Sequence, residues 1–156
     1  MTASFTVPGA PVPKARPRTV HGADGSTRAY TPMRTAAYED WVKASYRMQC
    51  PGVKFPDGEA LHVSIVAYMP IPKSAPKREL ERMRSEAVPH AKKPDADNIA
   101  KTVLDAMLGY AYKDDAQVSS LSARKVYSGK PRVEVSISTI ANSAFNSPGS
   151  ASGAQP

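Results

Sequence analysis

Between Lys92 and Asp115 the chain reads KKPDADNIAKTVLDAMLGYAYKDD. Asp95 and Asp97 stand at the start of an apolar-periodic stretch, Asn98 and Lys101 follow, and Asp114 and Asp115 close it. Acids set this close repel one another unless a cation or a proton lies between them. A structural reading competes: one aspartate can cap a helix, and an Asp97–Lys101 pair at i, i+4 is an ordinary surface pair worth a few tenths of a kcal/mol. One cap suffices, however, so one of the two acids is surplus. Carboxylates without His or Cys among them suit Mg²⁺ or Mn²⁺ rather than Zn²⁺. The calcium-loop pattern fails, because Ala100 and Ala106 stand where it requires Gly and Glu. A carboxylate-held Mg²⁺ beside Lys101 fits phosphoryl chemistry, with the lysine opposing the charge that builds on the phosphate.

The bulk composition points the same way. The chain has 156 residues, 21 Lys and Arg against 14 Asp and Glu, and a net charge of +7. This length makes one domain with its own core, and the basic surplus suits a polyanion, nucleic acid before membrane. Cys50 is the lone cysteine, so no internal disulfide can form and a reducing compartment is expected. No signal peptide is expected from the opening residues, and no apolar run approaches a membrane span. The protein is expected in the cytoplasm with no membrane partner.

The elements that must position the acids follow from periodicity. SFTVPG (4–9) alternates as a strand. Prolines 11, 13 and 17 keep APVPKARPR extended, so Lys14, Arg16 and Arg18 point one way. Thr31 as N-cap and Pro32 at the first helical position open a helix whose stripe is Ala37, Trp41, Ala44 and Met48, with Tyr38 and Val42 beside it and Trp41 in the core. Residues 60–70 alternate Leu61, Val63, Ile65, Ala67 and Met69 as a strand, with His62 half-exposed on the other face and no ligand. A short helix is expected over 76–87. Asp95 or Asp97 caps the next helix, which buries Ile99, Val103, Ala106 and Met107 and exposes Thr102, and Gly109 stops it. LSARKVYS and RVEVSIS, split by a Gly-Lys turn, suggest an antiparallel pair. Residues 141–156 carry no charge and many small side chains, and are expected to be a disordered tail. The sum is one α+β domain over 1–140 with helices packed on a mixed or antiparallel sheet.

The central stretch resembles the signature of the RusA family of Holliday-junction resolvases. The residues that carry it are Lys93, Pro94, Asp95, Asp97, Asn98, Lys101, Asp105-Ala106-Met107, Asp114-Asp115 and Gln117-Val118. GAPVPKARPR, the following YTP, and ARKVYSGKPRVEVSI extend the likeness over about residues 4–138. The resemblance implies a metal-dependent endonuclease, with Mg²⁺ or substituting Mn²⁺, that cuts four-way DNA junctions in recombination and repair. It implies metal ligation by Asp95, Asp97 and Asp115 and catalysis by these with Lys101. It implies DNA contacts from Lys14, Arg16, Arg18, Lys93 and Asn98, and a homodimer of phage or bacterial origin. Spacing leaves Asp114 or Asp115 as the third ligand, with Asp115 favoured. The alternatives are a general flap or fork nuclease, which keeps the site, and a non-catalytic junction-binding protein, against which the intact set of acids argues. Tyr30, Tyr110 and Tyr112 could stack on bases or simply pack.

Overall fold

The computed structural model describes residues 1–30 and 32–141. Thr31 and the expected tail beyond residue 141 lie outside them. A four-stranded mixed sheet has the order β1 (Thr2–Pro8), β6 (Arg132–Thr139), β4 (Leu61–Pro70), β5 (Val118–Ser128). β4 is antiparallel to β6 and parallel to β5, and β1 is antiparallel to β6. The long crossover from β4 to β5 carries α2 (Lys77–Arg84) and α3 (Ala96–Met107). A separate hairpin, β2 (Arg18–His21) with β3 (Thr27–Tyr30), precedes α1 (Met33–Gln49).

The fold is α+β, as the sequence indicates. The alternation read in residues 60–70 is borne out: Leu61, Val63, Ile65, Ala67 and Met69 are all buried. Leu61, Val63 and Ile65 join Ala3, Phe5 and Val7 of β1, Val133, Val135 and Ile137 of β6, and the inner faces of α1 and α3 in the main core, while Ala67 and Met69 cluster with Ile99 of α3. Each large side chain buried here contributes roughly 1.5–3 kcal/mol. His62 is half-buried, with Nδ1 2.9 Å from Ser120 Oγ.

Two expectations about packing are corrected. β5 and β6 are not a hairpin, because β4 lies between them. The three residues 129–131 suffice to step over one strand, since neighbouring strands are about 4.8 Å apart. The burial pattern gives the reason: β4 and β6 alternate fully and take the centre, whereas the polar β5 stands at the edge.

α1 is the second correction. Its buried residues are Thr35, Tyr38, Val42, Ser45 and Tyr46, so the buried stripe is rotated from the expected one. Ala37, Trp41 and Met48 are exposed and Ala44 is half-buried. Ser45 can be buried because its hydroxyl donates to the Trp41 carbonyl at 2.8 Å. Trp41 stays outside because its Nε1–H donates to the Pro8 carbonyl at 2.8 Å. Gln49 acts beside it, accepting from Thr6 N at 2.8 Å and donating to Thr6 O at 2.7 Å, as a neighbouring strand would. α1 thereby closes the free edge of β1, which would otherwise invite strand pairing. Pro32 holds the N-cap position and no side chain caps it.

Candidate active site

α3 organises the site. Ile99, Ala100, Thr102, Val103, Ala106 and Met107 are buried, which confirms the apolar stripe and adds Thr102. That residue was expected outside, but its hydroxyl donates to the Asn98 carbonyl at 3.1 Å, so its burial leaves no polar group unpaired. Asp97, Lys101 and Asp105 follow at i, i+4 and i+8 on the exposed face. Gly109 ends the helix region with φ +82°, where a side chain would be strained.

At the N-terminal end, Asp95 occupies the N-cap position, yet its side chain makes no capping hydrogen bond. Asp97 sits in the first turn. Both carboxylates face solvent, and Asp97 Oδ2 lies 4.0 Å from Lys101 Nζ, a loose exposed contact. The two acids are therefore not consumed by the helix they begin.

The segment ahead of Asp95 is clamped. Lys125, on β5, donates from Nζ to the carbonyls of Lys92 at 2.6 Å and Pro94 at 2.8 Å, and lies 3.2 Å from His90 Nδ1. The Lys93–Pro94 peptide is cis. His90 N donates to Lys125 O and Tyr127 N to Val88 O, so residues 88–90 also cover this part of the β5 edge. Burial, then the neighbouring Lys125 ammonium, lowers the His90 pKa.

The C-terminal end is built differently. Asp114 caps a 3₁₀ turn, Asp115–Gln117: its Oδ1 accepts from Ala116 N at 2.9 Å. Gln117 is buried and uses its whole amide. Its oxygen accepts from Lys113 N and Asp114 N, both at 3.2 Å, and its NH₂ donates to Pro56 O at 2.9 Å and Glu59 O at 3.1 Å. Asp115 is left without such a duty. Partial desolvation, then the carboxylates of Asp105 and Asp114, raises its pKa.

The geometry brings part of the expected site together. Asp95, Asp97 and Lys101 share one end of α3, whereas the charges acting on Asp115 are those of Asp105 and Asp114. Asp97 and Asp105 are eight residues apart on one helix, about 12 Å along its axis. Among the described residues no group of three or more His, Cys, Asp or Glu side chains is arranged to hold one ion.

Of the expected DNA contacts, Lys14 is already engaged. Its Nζ lies 2.6 Å from Glu39 Oε1 and 3.0 Å from Asp105 Oδ2, tying α1 to α3, while its backbone N donates to Asn98 O at 3.0 Å. Burial pulls its pKa down, but the hydrogen bonds and charges of Glu39 and Asp105 outweigh this and raise it. Arg16 and Arg18 are exposed. Lys93, Asp95 and Asn98 line a cleft of about 450 Å³ with Lys14 and Arg34. Arg34 escaped the sequence reading. A signal existed: a cation in the first turn of a helix opposes the helix dipole, so its position asks for another reason.

A model of the family described as Endodeoxyribonuclease RusA matches residues 8–138. The chain belongs to the RusA endodeoxyribonuclease family. The match runs from the end of β1 through nearly all of β6 and so includes α3, both groups of acids and the hairpin. The chain is also similar to the uncharacterized protein YqaN of Bacillus subtilis (strain 168), 34% identical over 140 residues, which cover 87% of this chain and 95% of YqaN. Endodeoxyribonucleases of this family hydrolyse phosphodiester bonds within DNA. Among the described residues no helix is long and apolar enough to cross a membrane.

The donor chemistry suits a hard divalent cation in an open arrangement. Mg²⁺ commonly takes one or two protein carboxylates and fills its remaining positions with water and substrate phosphate. Asp95 and Asp97 are exposed and make no capping hydrogen bond, so their carboxylate oxygens are open to such an ion, which fits that habit.

Proposed function

We propose that the protein is a Mg²⁺-dependent endonuclease that resolves four-way DNA junctions by paired hydrolysis, in recombination and repair. The observation that carries this reading is the exposed set of Asp95, Asp97 and Lys101 beside a cleft bearing Lys93 and Arg34. Asp95 and Asp97 would hold the ion, with Mn²⁺ able to replace it. Bound there, the ion would lower the pKa of a water and polarise the scissile phosphate.

The chain's own residues supply the rest. Lys93 and Arg34 draw the DNA backbone into the cleft, and such contacts orient without reading sequence. Water oxygen bonds to phosphorus, one P–O ester bond breaks, and the leaving oxygen takes a proton. Lys101, held only loosely by Asp97, is free to oppose the negative charge that accumulates as this happens. Lys125 fixes the backbone that delivers Asp95. Asp115 is the C-terminal acid we assign to the reaction rather than Asp114, because Asp114 is occupied as a cap.

A nearly two-fold junction suits a two-fold enzyme. We therefore infer a homodimer and assign its contact to the outer face of α1. Met33 and Met48 are 84% and 65% exposed there, and Met33, Ala37, Trp41, Ala44 and Met48 read the same in either direction. An antiparallel pair about a two-fold axis would set like against like. Sedimentation of the full chain and of Trp41→Glu tests this: the variant should be monomeric.

The function is tested with end-labelled four-way junctions, flaps, forks and linear duplex, in Mg²⁺ and in EDTA. Paired symmetric cuts in the junction, absent in EDTA, are expected. Equal cutting of flaps and forks would replace the junction reading with a general branched-DNA nuclease, and tight junction binding without cutting would refute catalysis.

A further inference from the structure

The hairpin of β2 and β3 is unexplained by folding. Every residue in both strands is exposed, and two strands alone are marginal in water. Its register pairs Arg18 with Tyr30 and Val20 with Arg28. Directly paired residues share a face, and so do alternate residues along a strand. Arg18, Val20, Arg28 and Tyr30 therefore form one face, and Thr19, His21, Thr27 and Ala29 form the other. Val20 is 52% exposed and Tyr30 45%.

The sole acid of the hairpin, Asp24, is turned into its tip, where Oδ1 accepts from Ser26 N at 3.0 Å and Ser26 Oγ at 2.6 Å. The working face is thus cationic at two corners and apolar at the other two. At the root of the hairpin, Arg16, Arg18 and Arg34 line a cleft of about 480 Å³. Pro13 and Arg34 also line the cleft that holds Lys93 and Asp95. A basic path therefore joins the hairpin to the candidate active site.

Arginines alone would serve a DNA backbone. Tyr30 and Val20 add a surface that phosphates cannot use. In continuous duplex the faces of the bases are stacked away, whereas at a branch point the terminal pairs of each arm can present them. Aromatic stacking on such faces tolerates any sequence. We propose that this hairpin is a branch-point probe: Tyr30 and Val20 lie against base faces exposed where strands exchange, and Arg18 and Arg28 hold the flanking phosphates. The proposal rests on the reading of branched DNA as the substrate.

The test uses the full chain carrying Asp97→Asn, so that DNA is bound but not cut. A four-way junction carries 2-aminopurine beside the branch, and a continuous duplex carries it at the same strand position. Binding should change the fluorescence in the junction and not in the duplex. Adding Tyr30→Ala should remove that change and lower the preference for junction over duplex by about tenfold, within the range measured for loss of one stacked base. Tyr30→Phe should retain both. Arg28→Ala should instead weaken both DNAs together and reduce the salt slope by about one. An unaltered junction preference and an unaltered fluorescence change in Tyr30→Ala would overturn the proposal. Junction preference and cutting by the chain with Tyr30 and Asp97 intact, measured in parallel, report on the function itself. A cutting enzyme indifferent to Tyr30→Ala therefore refutes the probe and leaves the function standing.

Discussion

At its N-terminal end α3 presents Asp95 and Asp97 to solvent, neither spent on a cap and the second only loosely paired with Lys101 at 4.0 Å. At its C-terminal end the acids have work within the fold. Asp105 lies 3.0 Å from Lys14, and Asp114 caps the turn that Gln117 anchors. Asp115 alone is held there against its like-charged neighbours, with a raised pKa. Similar residues thus serve two purposes, and the difference lies in whether their oxygens are already satisfied. One end is open to a ligand, while the other is a braced structure that positions a single uneasy carboxylate.

The contrast can be broken from either end. Lys101→Met removes a cation with no structural partner closer than 4.0 Å. Single-turnover cutting should fall about a hundredfold, comparable with loss of one transition-state donor, while the melting temperature and junction affinity stay near those of the parent. Gln117→Ala strikes the braced end. It strands buried donors and acceptors and should lower unfolding free energy by about 2–3 kcal/mol in denaturant titrations. Lys125→Met loosens the backbone ahead of Asp95 and should slow cutting by about tenfold, through roughly 1.4 kcal/mol of lost positioning, with junction affinity unchanged.

The two neighbouring aspartates should respond in opposite directions. Asp114→Ala loses a cap worth about 1 kcal/mol and should lower the melting temperature while cutting persists. Asp115→Asn relieves repulsion and should raise the melting temperature while cutting falls, the trade expected of a functional residue held at the expense of stability. His90 gives the smallest effect. Its folded pKa is lowered below the ordinary value of 6.5, so the unfolded chain takes up the proton first. Stability should decline as pH falls from 6.5 toward the folded value, and His90→Phe should flatten that limb of a melting-temperature profile.

Much of this was legible in the residues. The alternation of Leu61 to Met69 gave the central strand, and Ile99, Val103, Ala106 and Met107 gave the buried face of α3. Where periodicity misled, hydrogen bonding was the reason. Trp41 looks apolar enough for a core, but its indole N–H serves the edge of β1. Ser45 and Thr102 look polar enough for the surface, but their hydroxyls bond carbonyls within their own helices. The non-pairing of β5 and β6 was hidden because a short link can step over a strand as readily as turn back. The types and order of the acids were plain, but their distances were not. Only the tertiary placement of the turn at Asp114 brings the charge of Asp105 to bear on Asp115. The roles of Lys125 and Gln117 depend on contacts distant in sequence and were not visible, whereas Arg34 had a local signal in its place at the start of a helix.

The most direct measurement compares Asp97→Asn with Asp105→Asn, two substitutions of like chemistry on one face of one helix. Single-turnover cutting of a four-way junction in Mg²⁺ would be followed beside junction affinity and melting temperature. Asp97→Asn should lose cutting by a thousandfold or thereabouts, with affinity kept or tightened and stability unchanged. Asp105→Asn should cut within a few-fold of the parent and melt slightly lower as Lys14 loses a partner. Retained cutting in Asp97→Asn, or abolished cutting confined to Asp105→Asn, would contradict the assignment of the open end of α3 as the reactive one.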